Sequence, residues 1–383
     1  MNSALALIID DHIPFIKGVF EPFAKVIYAK GGLIDHELSR QADGLIIRTR
    51  TICDEKLLAG TKVQFIATGT IGFDHIDTEY CNAHGISWHH APGCNSSSVK
   101  QYLASVLASL SARSGYVLQG KKIGIVGVGH VGSKISRLAE IFGMVPLLND
   151  PPRERAESSG EFVTLAEICE TCDIITFHVP LTDSGIDKTY HLADGQFFGK
   201  LAKKPVVINT SRGAVADTKA VKDALHNNRI SAFIADVWEN EPSPDPELMG
   251  MSLIATPHIA GYSVEGKANG TASCVNAASR HFGFGLEHWF PPQLPPAGQP
   301  EINIDFAFKS DEQVLAEAIL HAYDVMNDHR ALRSDPSDFE HLRNFYPIRR
   351  EFEAFTLKVQ HADPPLLEKI KALGFRIALT IND

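Results

Sequence analysis

The chain has 383 residues and a mass of 41.9 kDa, too long for one ordinary domain, so two or three are expected. Its hydrophobic content of 44% with 21% charged residues suits a globular protein, and a net charge of −10 with a pI near 5.9 argues against nucleic acid or an anionic membrane as partner. No apolar run reaches membrane-spanning length, the opening ALALII stops at Asp10 and Asp11 with no basic residue before it, and six scattered cysteines suit a reducing cytoplasm.

Residues 1 to about 90 alternate short apolar strands (ALALIID, KVIYA, GLIIRT, VQFIAT, ISWHH) with short helical patterns, which predicts a parallel α/β domain. Asn95 and the serines after it then open a helix that they are expected to cap. Its Val99, Tyr102, Leu103, Val106, Leu107 and Leu110 share one face.

Lys121 to Asp150 is the most informative stretch. IGIVG reads as a buried strand, Gly127, Gly129 and Gly132 make a G-x-G-x-x-G turn, and Val131 to Phe142 has helical apolar spacing. Gly127 permits the tight turn, Gly129 lets the backbone approach a pyrophosphate at a helix N-terminus, and Gly132 lets the helix pack close to the strand. Asp150 ends the next strand, VPLLND, where a carboxylate can accept from both adenosine ribose hydroxyls. A dinucleotide site follows, with NAD favoured over NADP.

The strands DIITFHV, PVVINTS, SAFIADVW and SLIAT, separated by helical segments such as LAEICETC and DTKAVKDALHNN, complete a doubly wound sheet. One more helical stretch runs to about Phe290, and PPQLPPAGQP, with five prolines, reads as a stiff linker. Beyond it, strand and helix signals in residues 301 to 383 predict a small α+β domain.

In an open parallel sheet the ligand lies beyond the carboxyl ends of the strands, which gives weight to polar residues there. Arg212 follows PVVINTS, Asp236 and Glu241 follow SAFIA, and His258 follows SLIAT. These types fit hydride transfer from an alcohol next to a carboxylate. Arginine holds the carboxylate in two-pronged fashion, histidine takes the hydroxyl proton, and an acid on the other ring nitrogen fixes the tautomer.

Other constellations read as structural. Cys169 and Cys172 form a C-x-x-C without a second pair, and read as two semi-buried thiols; Asp74 and His75 lack a third metal ligand; His89 and His90 read as hinge packing. No metal is expected. His178 reads equally as a flank of the nicotinamide or a cap of its strand.

With these residues in place the chain resembles the D-isomer-specific 2-hydroxyacid dehydrogenases, whose catalytic Arg, Glu and His correspond to Arg212 in NTSRG, Glu241 in DVWENEP and His258 in PHIAGY. The resemblance implies a Rossmann NAD-binding domain, residues 93–258, inserted in a flavodoxin-like substrate domain, residues 1–92 and 259–290, with a C-terminal α+β dimerisation domain at 301–383. It also implies substrate contacts from Thr49, Thr70 and Tyr262. Val131, Asp150, Val179, Thr210, Ser211, Arg212, Asp236 and Gly261 would lie at NAD.

The stretches IIRTRT, ATGTIGFDHID, HHAPGCNSSSV, LLNDPPR, HIAGYSVEGKANGT and HAYDVMNDHRALR carry a closer likeness, to a branch that acts as a homodimer on a small phosphorylated 2-hydroxy acid. Thr49 stands where serine is common and keeps the hydroxyl, while Asp10, Asp11 and His12 also depart from that branch. Arg48, Lys267, Arg349 and Arg350 are candidates for the substrate phosphate. The alternatives are a phosphoglycerate- or glyoxylate-type dehydrogenase, or a dimeric scaffold that senses NAD without turnover, which the intact Arg212, Glu241 and His258 set disfavours.

Overall fold

The computed structural model describes residues 5–158, 160–361 and 363–379, so Ala4 and Thr380, at the outer ends of the first and last expected strands, lie outside the described residues. The chain divides into two compact units, one of Met1–Asn95 with Ser263–Pro295 and the other of Ser96–Tyr262 with Pro296–Asp383.

The first unit is built on β1 (Ala6–Asp10), β2 (Lys25–Ala29), β3 (Gly44–Ile47), β4 (Phe65–Thr68) and β5 (Ser87–His89), all parallel in the order β2-β1-β3-β4-β5. ALIID, GLII and FIAT are continuous apolar runs that can be buried on both faces, and they occupy the middle; KVIYA and SWH keep partly exposed residues and form the edges. The helix Val264–Phe282 returns to cover one face, packing Cys274, Val275 and Ala278 against Leu7, Ile9 and Phe65. The Ser263 hydroxyl caps it by accepting from the Gly266 amide at 2.8 Å, and Gly283 ends it in the left-handed region.

The second unit carries β6 (Lys122–Val126), β7 (Val145–Asn149), β8 (Ile174–Phe177), β9 (Val206–Asn209), β10 (Ala232–Ala235) and β11 (Ile254–Ala255) in the order β11-β10-β9-β8-β6-β7. The order reverses beside β6, the place where such sheets bind ligands, and a parallel bridge from Leu148 to Phe162 extends the short side. The turn-opening helix runs Gly132–Ile141, within the expected span.

β12 (Glu301–Asp305), β13 (Thr356–Gln360) and β14 (Arg376–Leu379) form a small sheet that is wholly parallel, because helices connect its strands. It does not stand apart from the nucleotide-side sheet. Ile302, Val314, Leu315, Ile319 and Val325 share one apolar core with Leu103, Leu107, Ile123 and Ile135. The reason lies in the helix Ser96–Ser114, expected to bury one face: Ala104, Ser105 and Ala108 on its other side are fully buried too, and Ser105 accepts from the Val325 amide at 2.9 Å. Its first serines also look outward, Ser97 to the Lys134 ammonium and Ser98 to Glu351.

Candidate active site

The nucleotide-side candidates all follow the carboxyl ends of strands in the six-stranded sheet. After β6 the chain turns at Gly127, whose φ of +90° and approach to the next strand end exclude a side chain; an added Cβ would stand 2.7 Å from the His178 carbonyl oxygen and 2.8 Å from Val179. A Cβ on Gly132 would stand 2.0 Å from the Gly127 oxygen. Gly129 differs: nothing lies within 4 Å of its Cβ position, so the turn is open at the point where a pyrophosphate would meet the backbone. Val131 precedes the helix as its N-cap.

Asp150 closes this turn from β7. Its Oδ2 accepts from the Val128 amide at 2.8 Å, and its Oδ1 accepts from the Arg153 amide at 3.1 Å, which caps the helix Pro151–Glu157. The Arg153 guanidinium reaches the Val128 carbonyl at 2.5 Å and pairs with Glu157 at 2.7 Å.

After β8 and β9 the site loop is braced by a residue that sequence reading passed over. Asn209 accepts from the Ser211 amide at 3.1 Å and its hydroxyl at 2.9 Å, and donates to the Arg212 carbonyl at 2.9 Å. An Asn two residues ahead of a serine at a strand end is a turn signal that could have found it. The Arg212 guanidinium donates to the Ser211 carbonyl at 2.9 Å. Thr210 meets the His178 Nδ1 at 3.3 Å and Thr176 meets its Nε2 at 3.0 Å, while burial pushes the His178 pKa down to about 3, so the ring is neutral. Hydroxyls thus tie His178 to its own strand, β8, and to the residue that follows β9.

The residues after β10 and β11 form one clamp. Asp236, 1% exposed, accepts from the Thr256 hydroxyl at 2.7 Å and from the Ile259 and Ala260 amides at 2.8 Å each. Its carbonyl accepts from the His258 amide at 2.7 Å. The Tyr102 hydroxyl braces Thr256 at 2.8 Å. These bonds hold His258 at a φ of +56°, a left-handed conformation that costs a non-glycine residue roughly 1–2 kcal/mol. With both oxygens spent inside the protein, Asp236 positions the loop before Gly261, an addition to the cofactor contact expected of it.

His258 Nδ1 lies 2.7 Å from Glu241 Oε2, and the other Glu241 oxygen accepts from the Trp238 amide at 2.9 Å. Burial raises the Glu241 pKa, but the bond and charge of His258, the Trp238 amide and the charge of Arg343 outweigh it, leaving the carboxyl below its ordinary value. Glu241 is therefore a carboxylate near neutral pH. Its carboxylate leaves Nε2 of His258 as the nitrogen available to a substrate.

Tyr262, in the same unit, meets the guanidinium of Arg343 at 3.5 Å and the edge of Tyr346 at 5.9 Å. Arg349 is removed from the phosphate candidates, because its guanidinium is buried and donates to the carbonyls of Ile259, Ala260 and Ser98 at 3.2, 2.6 and 3.3 Å. Cys169 and Cys172 are fully rather than half buried, at 3% and 1%, and burial pushes both thiols up, Cys172 to about 11. A Cβ on Gly124 would touch the Cys172 sulfur at 3.0 Å, so the pair is core filling against β6.

In the first unit, Thr49 and Thr70 follow β3 and β4, neighbours in the sheet. Thr49 is exposed, and the Thr70 hydroxyl is tied to Thr68 and to the Gly72 carbonyl at 2.8 Å each. His75 bonds Thr68 at 3.1 Å, and His89 and His90 bond Ser273 and the Ile71 carbonyl at 2.9 Å each. Asp10, Asp11 and His12 bring three ligand atoms within 4.8 Å of one another, but the buried Asp10 already accepts from the Arg48 Nε at 3.2 Å and the His12 amide at 2.9 Å.

Residues 95–260 match the family described as D-isomer specific 2-hydroxyacid dehydrogenase, NAD binding domain, and residues 294–374 match a domain of unknown function. The erythronate-4-phosphate dehydrogenase of Bacteroides thetaiotaomicron is 49% identical over 92% of this chain and 99% of its own length. The enzyme of the same name from Porphyromonas gingivalis is 43% identical over 92% of this chain and 95% of its own. The chain belongs to the erythronate-4-phosphate dehydrogenase family of D-isomer specific 2-hydroxyacid dehydrogenases.

Solved structures agree on the fold. The NAD+-bound 3-phosphoglycerate dehydrogenase of Entamoeba histolytica gives a TM-score of 0.62 at 24% identity, covering 76% of this chain and 100% of that one. The Aquifex aeolicus D-lactate dehydrogenase complexed with NAD and lactic acid gives 0.61 at 23%, covering 74% and 96%. As in the family, NAD is the cofactor and the chain is an oxidoreductase. The open Gly129 and the carboxylate of Asp150 fit the pyrophosphate and ribose of such a group.

Proposed function

We propose that this chain oxidises the C2 hydroxyl of 4-phospho-D-erythronate to 2-oxo-3-hydroxy-4-phosphobutanoate, a step of pyridoxal 5′-phosphate (vitamin B6) biosynthesis. The observation that carries the chemistry is the 2.7 Å pair of Glu241 with His258 Nδ1, on the carboxyl edge of the sheet that bears the glycine turn. The substrate follows from the name shared by relatives that cover nearly the whole chain.

NAD, when bound, supplies the hydride acceptor. His258 Nε2 takes the hydroxyl proton, and Glu241 holds the Nδ1 proton and stabilises the imidazolium that forms. Arg212 grips the substrate carboxylate, with a planar fork that an ammonium cannot imitate. Thr49, Thr70 and Tyr262 are assigned to the substrate, and Arg48, Lys267 and Arg350 remain for its phosphate.

A cytoplasmic location is proposed, where this soluble substrate would be found; no helix among the described residues is long and apolar enough to cross a membrane. The active form is a homodimer made through the C-terminal segment, where Phe308, Phe345 and Ile348 are exposed by 107%, 73% and 64%. The deciding experiment mixes the chain with NAD and either 4-phospho-D-erythronate or D-3-phosphoglycerate and follows NADH absorbance. Turnover of the erythronate is expected. A clear preference for phosphoglycerate would replace the substrate, and silence with every 2-hydroxy acid would favour a non-catalytic scaffold.

A further inference from the structure

Arg343 was singled out by no motif, lying about a hundred residues beyond the Glu241 loop on the short helix Phe339–Asn344. Its NH1 stands 3.8 Å from Glu241 Oε2, the same oxygen that meets His258 Nδ1 at 2.7 Å. Its NH2 faces the Tyr262 hydroxyl at 3.5 Å, its guanidinium lies about 6 Å from the rings of Tyr262 and Phe339, and its side chain is 23% exposed.

The helix that carries it is fixed in place. Phe339 is fully buried in the core that holds Trp238, Leu248 and Met249, flanking the Glu241 loop. Nearby, Arg333 donates to the Met249 and Gly250 carbonyls at 3.1 and 2.8 Å, and His329 Nδ1 accepts from the Ala255 amide of β11 at 3.0 Å. The backbone that carries the guanidinium is thereby held beside the Glu241 loop.

We propose that Arg343 is a positioning residue for the proton-transfer pair, acting on His258 through the Glu241 oxygen that the two cations share. The arrangement rests on the reading of His258 as the base. The geometry gives Arg343 two effects on that base. It aims the carboxylate, and by sharing Oε2 it weakens the hold of that oxygen on an imidazolium, so that the ring is freer to be neutral when an alcohol must be deprotonated.

Several other ionisable groups on the surrounding elements are engaged elsewhere, among them Glu239 of the same loop, which meets His191 Nε2 and accepts from the Thr218 amide at 2.8 Å each. Asp236 is spent on Thr256 and the Ile259 and Ala260 amides, Arg349 on the Ile259 and Ala260 carbonyls, and Asp328 on the Tyr323 and Tyr346 hydroxyls at 2.6 and 2.9 Å. His329 is held by β11 and Arg333 by the carbonyls beyond Leu248. Besides His258 itself, Arg343 is the cation paired with Glu241 among the described salt bridges.

The test measures kcat for alcohol oxidation against pH in the full chain with NAD, in the parent, Arg343→Gln, Arg343→Lys, Glu241→Gln and the Arg343→Gln/Glu241→Gln double variant. Arg343→Gln is expected to raise the midpoint by about one pH unit, as loss of a charge near a titrating pair does. Arg343→Lys is expected to restore most of the parental profile. In the Glu241→Gln background the same change is expected to shift nothing further, because the carboxylate through which it acts is gone.

An unmoved midpoint would overturn the proposal, as would an equal shift in the Glu241→Gln background or a defect confined to KM for the phosphorylated substrate. The imidazole NMR titration of His258, assigned with His258→Gln, gives the same comparison without turnover. Should the parent leave 4-phospho-D-erythronate untouched while Arg343→Gln still raises the His258 titration midpoint, the substrate reading fails and this one stands. Lack of movement there in both Arg343→Gln and Arg343→Lys ends it.

Discussion

Asp150 does two jobs with one carboxylate, and the two can be separated. It caps the helix Pro151–Glu157 and accepts from the Val128 amide, while its charge is what disfavours the extra phosphate of NADP. Asp150→Asn keeps an acceptor for the cap and removes the charge. The ratio of kcat/KM for NAD to that for NADP is expected to fall by on the order of ten- to a hundredfold, since hydrogen bonds to a charged group are worth about 1.5–3 kcal/mol, with Arg153 close by to meet the phosphate; equal use of both cofactors by the parent would refute this. At the proton, His258→Ala is expected to cost on the order of 10²- to 10⁴-fold in kcat. Glu241 is held below its ordinary pKa and so is ionised near neutral pH; Glu241→Gln removes a negative charge that favours imidazolium, so the midpoint of alcohol oxidation is expected to move to lower pH, opposite in sign to Arg343→Gln. A pH profile of kcat for each variant decides it. Arg212, Glu241 and His258 were legible as residues because each follows a strand in a recognisable sheet; Arg343 was not, because nothing local marks an arginine that meets its partner through tertiary packing.

The glycine turn allows the same separation among its own members. Gly132 is closed by the Gly127 oxygen, 2.0 Å from its Cβ position, whereas Gly129 faces open space. Gly129→Ala is therefore expected to keep the parental melting temperature and lose affinity for NAD, and Gly132→Ala to lower the melting temperature even without NAD; thermal melts with and without NAD check both, and equal melting of the two variants would show that packing does not distinguish them. Strand content was plain at this scale, since ALIID, GLII, FIAT and IGIV are apolar runs ended by turn residues. The depth of burial of the helix Ser96–Ser114 was not, because Ala104, Ser105 and Ala108 read as a neutral outer face until another helix packs on them.

For the whole molecule, the shared core of the C-terminal segment changes what a truncation would report. Removing the residues after Phe290 would strip partners from Leu103, Leu107 and Ile123, so loss of assembly would be mixed with loss of folding. Phe345→Glu with Ile348→Glu alters side chains that are already exposed, and is expected to give a folded monomer by light scattering; an unchanged dimer would move the interface elsewhere. Stability should respond to acid from two sides. Glu241 and Asp173 have folded pKa values below their ordinary ones, so the stability they contribute is present above the unfolded values and is lost as pH falls through the folded ones. Buried Asp328 is raised instead, so its contribution is present below its unfolded value and is lost as pH rises through the folded one. Asp328→Asn is accordingly expected to flatten the alkaline side of that window in melts taken across pH.

By itself the sequence determined the two parallel sheets, the glycine turn and the chemical types at the strand ends, because strand periodicity, turn chemistry and a G-x-G-x-x-G between strand and helix are all short-range properties. Tertiary structure decided what those residues spend their hydrogen bonds on. It turned Asp236 inward to hold His258 in a left-handed conformation, withdrew Arg349 from the phosphate candidates by burying it against backbone carbonyls, and joined the C-terminal segment to the nucleotide-side core. It also set Arg343 against Glu241. Each of these depends on which distant groups remain unsatisfied once the chain is packed, and no local pattern encodes that.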